Sequence, residues 1–174
     1  MKCELLFSGI GGQGVITLGE TLCDAAIKTG YNVTFVPFYG QEKRGGRTMC
    51  NIVISDGMES PIISEADIML IMDERSLGDY QDMMAEDGTL IINSSMVEKG
   101  PTCKCGSIYK IPFYDIAQEL GNPKTANVVA LGYIAKLLPM IPYKAIEAEV
   151  ENSFAKKPHL IPINLNALRQ GYER

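Results

Sequence analysis

Apolar positions along this chain come in short bursts whose period keeps changing. Residues 3–8 form a short apolar strand that stops at glycine. From about Gly14 to Thr29 the period is helical: Val15, Leu18, Leu22 and Ala25/Ala26 recur three to four residues apart, and Gly30 supplies a stop. Residues 33–36 (Val-Thr-Phe-Val) read as a second strand, closed by Pro37. This is a strand–helix–strand unit, and the handedness rule for such units favours a parallel pair. A polar loop covers residues 37–48. Residues 49–54 predict a third strand, ended by Ser55-Asp56-Gly57, a turn that can fold back as a hairpin toward Pro61-Ile62-Ile63 and form an antiparallel pair.

Ile68-Met69-Leu70-Ile71-Met72 is apolar throughout, as expected for a strand covered on both faces. A helix is predicted near 74–85, then a buried strand at Thr89-Leu90-Ile91-Ile92 and another from Ile108 to Ile111. Residues 113–120, 126–138 and 143–154 carry helical periodicity, separated by Gly121-Asn122-Pro123 and Pro139-Met140-Ile141-Pro142. The pattern predicts one domain over residues 1–174. Its class is a three-layer α/β/α fold with a mostly parallel or mixed sheet and a Rossmann-like first strand–helix unit. Residues 156–174 form a C-terminal packing tail, with a short helix at 164–170, laid over the surface or onto a partner.

Composition narrows the function classes. The 174 residues suffice for one well-filled core, and a formal charge of −5 argues against a general nucleic-acid binder. No apolar run approaches the roughly 18 residues of a membrane span, and Leu5-Leu6-Phe7 is too short for a signal sequence. A cytoplasmic protein is expected. The five scattered cysteines, Cys3, Cys23, Cys50, Cys103 and Cys105, fit neither a disulfide framework nor the cysteine run of an iron–sulfur cluster. No metal site is expected.

Three motifs carry candidate chemistry. Gly9-x-Gly11-x-x-Gly14 follows a strand and opens a helix, where free N–H groups favour an anion. A dinucleotide site also needs an acidic residue near the end of the second strand, and Val33 to Tyr39 contains none. Close packing of loop and helix is the other use for such glycines. Lys43-Arg44-Gly45-Gly46-Arg47 concentrates three cations in five residues of an acidic chain. Arg44 and Arg47 suit a phosphate, a carboxylate or the carboxylates of another subunit. Asn93-Ser94-Ser95 follows a buried strand. Ser8, Gly9, Pro37 to Tyr39, Asp73 and Asn93 share one rim if the strands are parallel. Asn127 is a further candidate for this rim, with a helix cap at the start of 126–138 as its other reading. No catalytic set emerges, and the one histidine, His159, stands alone.

In combination the motifs are more specific. Gly9-Ile-Gly-Gly-Gln-Gly14, Tyr39-Gly-x-Glu42-x-Arg44-Gly-Gly46, Cys50, Ser55-Asp56, Ser60-Pro61 and Ala66-Asp67 occur in order. Gly88-Thr-Leu-Ile-Ile-Asn-Ser94 and Asn127-Val-Val-Ala-Leu-Gly132 follow. The set resembles the gamma subunits of 2-oxoacid:ferredoxin oxidoreductases over about residues 3–135. The resemblance implies a subunit of a complex that oxidatively decarboxylates a 2-oxoacid with CoA, giving acyl-CoA, CO2 and reduced ferredoxin. The pattern is most similar to the 2-oxoglutarate and branched-chain 2-oxoisovalerate classes. It implies thiamine-binding alpha and beta subunits and a ferredoxin-like delta subunit as partners. Thiamine diphosphate and iron–sulfur clusters would lie on those partners, with ferredoxin as acceptor. This chain would close on the active-site region and help bind CoA. The residues chosen for the site are Gly9, Gly11, Gly12, Gln13, Gly14, Arg44, Gly45, Gly46, Arg47, Asn93 and Ser94, with the glycine loop, Arg44 and Arg47 set to contact either the CoA phosphates or the thiamine-bearing subunit. The isolated chain is expected to be inactive, with an exposed assembly face open to self-association. The competing classes are a free-standing nucleotide-binding dehydrogenase and a non-catalytic interaction module.

Overall fold

The computed structural model describes residues 1–42 and 45–174. Among the described residues, six strands make one mixed sheet: β1 (Lys2–Ile10), β2 (Asn32–Tyr39), β3 (Arg47–Ser55), β4 (Ala66–Ile71), β5 (Met84–Asn93) and β6 (Ser107–Ile111). Their order across the sheet is β2-β3-β1-β4-β5-β6. β1, β4, β5 and β6 run parallel, while β3 is antiparallel to both its neighbours. The helices are α1 (Val15–Lys28), α2 (Glu74–Tyr80), α3 (Phe113–Glu119), α4 (Ala126–Leu137), α5 (Tyr143–Ser153) and α6 (Ile161–Tyr172).

The continuous apolar run of β4 has the cause expected of it. Ile68 and Leu70 join Leu5, Phe7, Ile52 and Ile54 in a large cluster under α1 and α3–α6. Met69 and Ile71 point the other way, into a smaller cluster with Leu6, Val53, Leu77, Leu90 and Ile92. Each such side chain withdrawn from water contributes about 1.5–3 kcal/mol. The three layers are unequal: five helices cover one face, and α2 with its adjoining loops covers the other.

Several local expectations change. β1 and β2 run in the same direction but are not neighbours, because β3 pairs between them, with Cys50 opposite both Phe7 and Pro37. Residues 61–63 form no strand, so the antiparallel partners of β3 are β1 and β2. β2 does not stop at Pro37 but continues to Tyr39. It is an edge strand, where a missing N–H is tolerated. The helix predicted to 85 ends at Tyr80, and a 3-10 turn at Gln81–Met83 leads into β5 at Met84. Pairing of Met84 with Ala66 overrides the local helical preference of Met83 to Glu86.

The C-terminal residues make a longer helix than predicted, because Pro162 sits in the first turn of α6, where no N–H is needed. α6 packs against α4 with two glycines at the crossing. A Cβ on Gly132 would strike the Leu168 carbonyl, and one on Gly171 the Val129 carbonyl.

An ion pair ties α1 to α5. Lys28 in the last turn of α1 meets Glu149, which is nearly buried and also accepts weakly from Asn152 Nδ2 at 3.4 Å. Lys28→Ala leaves that carboxylate poorly compensated. We expect a loss of about 1–2 kcal/mol, limited by the exposure of Lys28, as a lower urea midpoint at unchanged slope.

Candidate functional site

The parallel strands end on one rim. Register pairs Tyr39 with Thr48, Ile10 with Arg47, Ser8 with Ile71 and Asn93 with Ile111, so the end of each strand stands level with its neighbour. The start of β3 joins the same rim. After β1 the chain turns to α1 on the thickly covered face, and after β4 to α2 on the other. The crevice between β1 and β4 is therefore the topological switch point, where ligands of open α/β sheets bind.

The glycine loop lies at that crevice and is tied down on both sides. Gly11 N–H donates to the Gly46 carbonyl at 2.7 Å, which joins the glycine loop to the arginine loop. Gln13 Oε1 accepts from Ile10 N–H at 2.8 Å, and its Nε2 donates to the Met72 carbonyl at 3.2 Å. Its amide thus bridges the ends of β1 and β4. Gly14 opens α1 with φ 71°, a left-handed conformation that favours glycine. Asn127 Nδ2 donates to the Gly14 carbonyl at 3.3 Å and occupies the place a Cβ would take. Asn127 serves the α1 loop, and its own helix starts without a side-chain cap. The first turn of α1 has neither a side-chain cap nor an acidic residue, so the positive end of its dipole is not offset locally.

Asn93 at the end of β5 is 1% exposed. Its Nδ2 donates to the Met72 carbonyl at 3.2 Å, and its Oδ1 has no partner. Asp73 caps α2 through Ser76 N–H, and Ser8 is buried against Ser76 at 2.9 Å. Two clefts flank the glycine loop. One, of about 470 Å³, is lined by Tyr39, Gly40, Glu42 and Gly45 to Thr48, with Gly11. The other, of about 430 Å³, has Gly12, Gln13, Asn93, Tyr114 and Lys124 set among Ile10, Met72, Met96, Pro123 and Ala126.

The structure thus gathers Gly9, Gly11, Gly12, Gln13, Gly14, Gly45, Gly46, Arg47 and Asn93 on one rim. Ser94 is exposed beside it, its N–H bonded to the Ile111 carbonyl at 3.0 Å. Arg44, with Lys43, lies outside the described residues. Arg47 Nε is held by Asp79 of α2 at 2.9 Å. Sequence reasoning missed Asp79, Lys124 and the bridging role of Gln13. Only the tertiary fold brings the first two to the rim. The third had a signal in the polar residue between two glycines. His159 is exposed in the turn before α6, far along the chain from the rim motifs.

The geometry also bears on dinucleotide binding. In a Rossmann unit the acid at the end of the second strand stands next to the first strand. Here β3 takes that place, about one 4.8 Å strand spacing nearer than β2. Among the described residues no group of three His, Cys, Asp or Glu side chains could hold a metal ion, and no helix is long and apolar enough to cross a membrane.

At the back of the rim, Glu74 secures the loop after β5. Its Oε2 accepts from Glu98 N–H at 3.0 Å and Lys99 N–H at 3.3 Å, and Lys99 Nζ lies 3.2 Å from Oε1. These backbone bonds, then Lys99, hold its carboxyl below the usual carboxylate range. A depressed folded pKa gives stabilisation that is present above the unfolded pKa and lost as pH falls through the folded one. Hydrogen-exchange protection at Glu98 and Lys99 should therefore fall in acid. In Glu74→Gln it should be lower at neutral pH and lose that dependence.

Fold and rim define an α/β domain with a mixed sheet whose glycine loop and arginine loop share one edge. The chain belongs to the pyruvate ferredoxin/flavodoxin oxidoreductase family, which it matches over residues 4–174, through α6 to the last residue. It is 32% identical to 2-oxoglutarate synthase subunit KorC of Methanocaldococcus jannaschii, over 99% of this chain and 94% of that protein. It is 31% identical to ketoisovalerate oxidoreductase subunit VorA of Methanothermobacter thermautotrophicus, over 99% of this chain but 36% of that protein. The chain thus spans about a third of the length of that longer relative. Among solved structures, the gamma subunit of a keto/oxoacid ferredoxin oxidoreductase from Geobacter sulfurreducens superposes with a TM-score of 0.84 at 29% identity, covering 99% of this chain and 95% of that one. A 2-oxoglutarate:ferredoxin oxidoreductase from Magnetococcus marinus shares the fold, with a TM-score of 0.91 at 20% identity over 99% of this chain and 30% of that one. KorC, VorA and the Geobacter protein are subunits of oxidoreductases.

Proposed function

We propose that this chain is the gamma subunit of a cytoplasmic 2-oxoacid:ferredoxin oxidoreductase that converts a 2-oxoacid and CoA to acyl-CoA, CO2 and reduced ferredoxin. The observation that carries this reading is the end-to-end match with KorC, a subunit of nearly the same length. The favoured substrates are 2-oxoglutarate and 2-oxoisovalerate, the substrates named in the two relatives above. Thiamine diphosphate and the iron–sulfur clusters belong to partner subunits: alpha and beta chains and a ferredoxin-like delta chain. Ferredoxin takes the electrons. The free state of all five cysteines accords with a reducing compartment.

The role of this chain is to hold the charged end of CoA. The uncapped N-terminus of α1 presents N–H groups to phosphate oxygens. Arg47, steadied by Asp79, adds a cation on one side of the glycine loop, and Lys124 adds one on the other. Asn93 Oδ1 accepts from an N–H donor entering the second cleft, which fits the amides of CoA. These contacts bind and orient, and thiol chemistry proceeds on the partners.

The test is Arg44→Ala/Arg47→Ala in the reconstituted complex, assayed by viologen reduction with several 2-oxoacids. We expect KM for CoA to rise about tenfold with kcat within about twofold, the mark of lost uniform binding. An unchanged KM in a fully assembled complex refutes the CoA contact. Failure to co-purify with thiamine-binding subunits refutes the gamma-subunit reading itself.

A further inference from the structure

Five thiols divide into two kinds. Cys23 and Cys50 are buried, and Cys3 lies half-buried in β1. Burial pushes the thiols of Cys3 and Cys23 up to about 12 and that of Cys50 higher still. At neutral pH these three are protonated and unreactive. Cys103 and Cys105 occupy the loop between β5 and β6, half-buried at the margin of the smaller core cluster. Only Lys104 separates them, and the chain bends at Cys103. Two peptide units span at most about 7 Å when fully extended. That ceiling lies just above the range of about 4.4–6.8 Å that a disulfide requires, so the two Cα atoms need little or no approach for the ring to close. Both cysteines pack at the edge of the same core cluster, so the two thiols share one partly covered patch.

The loop on either side is anchored. Thr102 N–H and Cys103 N–H donate to Gln81 Oε1 at 2.7 and 3.3 Å. The Cys105 thiol donates to the Ser107 carbonyl at 3.6 Å, and Ser107 pairs with Thr89 at the start of the β5–β6 ladder. The two cysteines thus sit on one short stretch of backbone that is fixed on both sides. Neither belongs to the rim, so the inference stands apart from the proposed CoA contact.

We propose that Cys103 and Cys105 form a reversible dithiol–disulfide site whose reactant is a low-molecular-weight disulfide. The Cys105 thiolate attacks one sulfur of the reactant, forming a mixed disulfide and releasing one small thiolate. Cys103 then loses its proton and attacks the Cys105 sulfur. The ring closes and the second small thiolate leaves. Two protein thiols are oxidised, one small disulfide is reduced to two thiols, and the two protons pass to those products. Burial and the neighbouring Cys105 sulfur hold the proton on Cys103, which gives it the second, resolving role.

The test uses the full chain, reduced under anaerobic conditions and then exposed to oxidised glutathione. Remaining thiols are alkylated with N-ethylmaleimide in urea, and the peptides are weighed. The peptide holding Cys103 and Cys105 should lose the mass of two hydrogens and take no label, while Cys3, Cys23 and Cys50 each take one. Oxidation there should run about tenfold or more faster than at Cys3, as expected for reachable against buried thiols. Dithiothreitol should restore both labels. Cys103→Ser should stop at a stable glutathione adduct on Cys105. The proposal is overturned if the wild-type chain accumulates adducts without ring closure, if the pair does not react, or if Cys3, Cys23 or Cys50 oxidises as fast.

Discussion

Gly171→Leu should unfold much of the population, with a loss of about 3 kcal/mol or more in urea unfolding. The site is a backbone-to-backbone contact. α6 lies so close to α4 that a Cβ at Gly171 meets the Val129 carbonyl, and a Cβ at Gly132 the Leu168 carbonyl. A carbonyl inside a helix cannot move aside as a side-chain tip can, so the helices must separate. That would open the packing of Val129, Tyr133, Ala167 and Leu168, all buried in the large cluster. Domain stability is only about 5–15 kcal/mol, so the loss is a large share. Gly78→Ala supplies the control. Gly78 lies within α2 with nothing within 4 Å of the added methyl, and alanine there should stabilise by about 0.5–1 kcal/mol.

Asn93→Asp is the second large effect, and it depends on pH. The native amide donates to the Met72 carbonyl from a site that is 1% exposed. An ionised aspartate would set a buried charge against that carbonyl, at a cost of about 3 kcal/mol near neutral pH. Protonated, the acid can still donate to Met72 and fits the same volume. Burial therefore raises its folded pKa above the unfolded value of about 3.9. The folded state then binds more protons, so stability falls as pH rises from the unfolded pKa to the folded one and levels off beyond it. Asn93→Leu, with no charge to bury, should cost about 1 kcal/mol at any pH, because Gln13 still serves the Met72 carbonyl. Equal pH profiles for the two variants in urea unfolding would contradict this account.

The fold was legible where local pattern and burial agree. The run from Ile68 to Met72 identified a strand covered on both faces, and Val15 to Ala26 identified α1. The third strand was visible, but its central antiparallel place was not. Cys50, Ile52 and Ile54 pack on one face and Met49 and Val53 on the other, and such two-sided burial looks the same in a parallel strand. β5 began early because Met84 pairs with Ala66, a contact that no local preference encodes. At the site, the strand–glycine–helix order pointed to the rim. The Arg47–Asp79 pair and the buried Asn93 acceptor are products of the tertiary fold, and spacing along the chain does not record them.

The amide of Gln13 has a mechanical consequence. By bonding Ile10 and Met72 together, it fastens two adjacent strand ends just beyond the last paired residues of β1 and β4. The glycine loop is then braced from below by Gln13 and from the side by Gly46, and opening it like a flap would break these hydrogen bonds. For the CoA contact proposed above, the loop would serve as a fixed ledge rather than a moving lid.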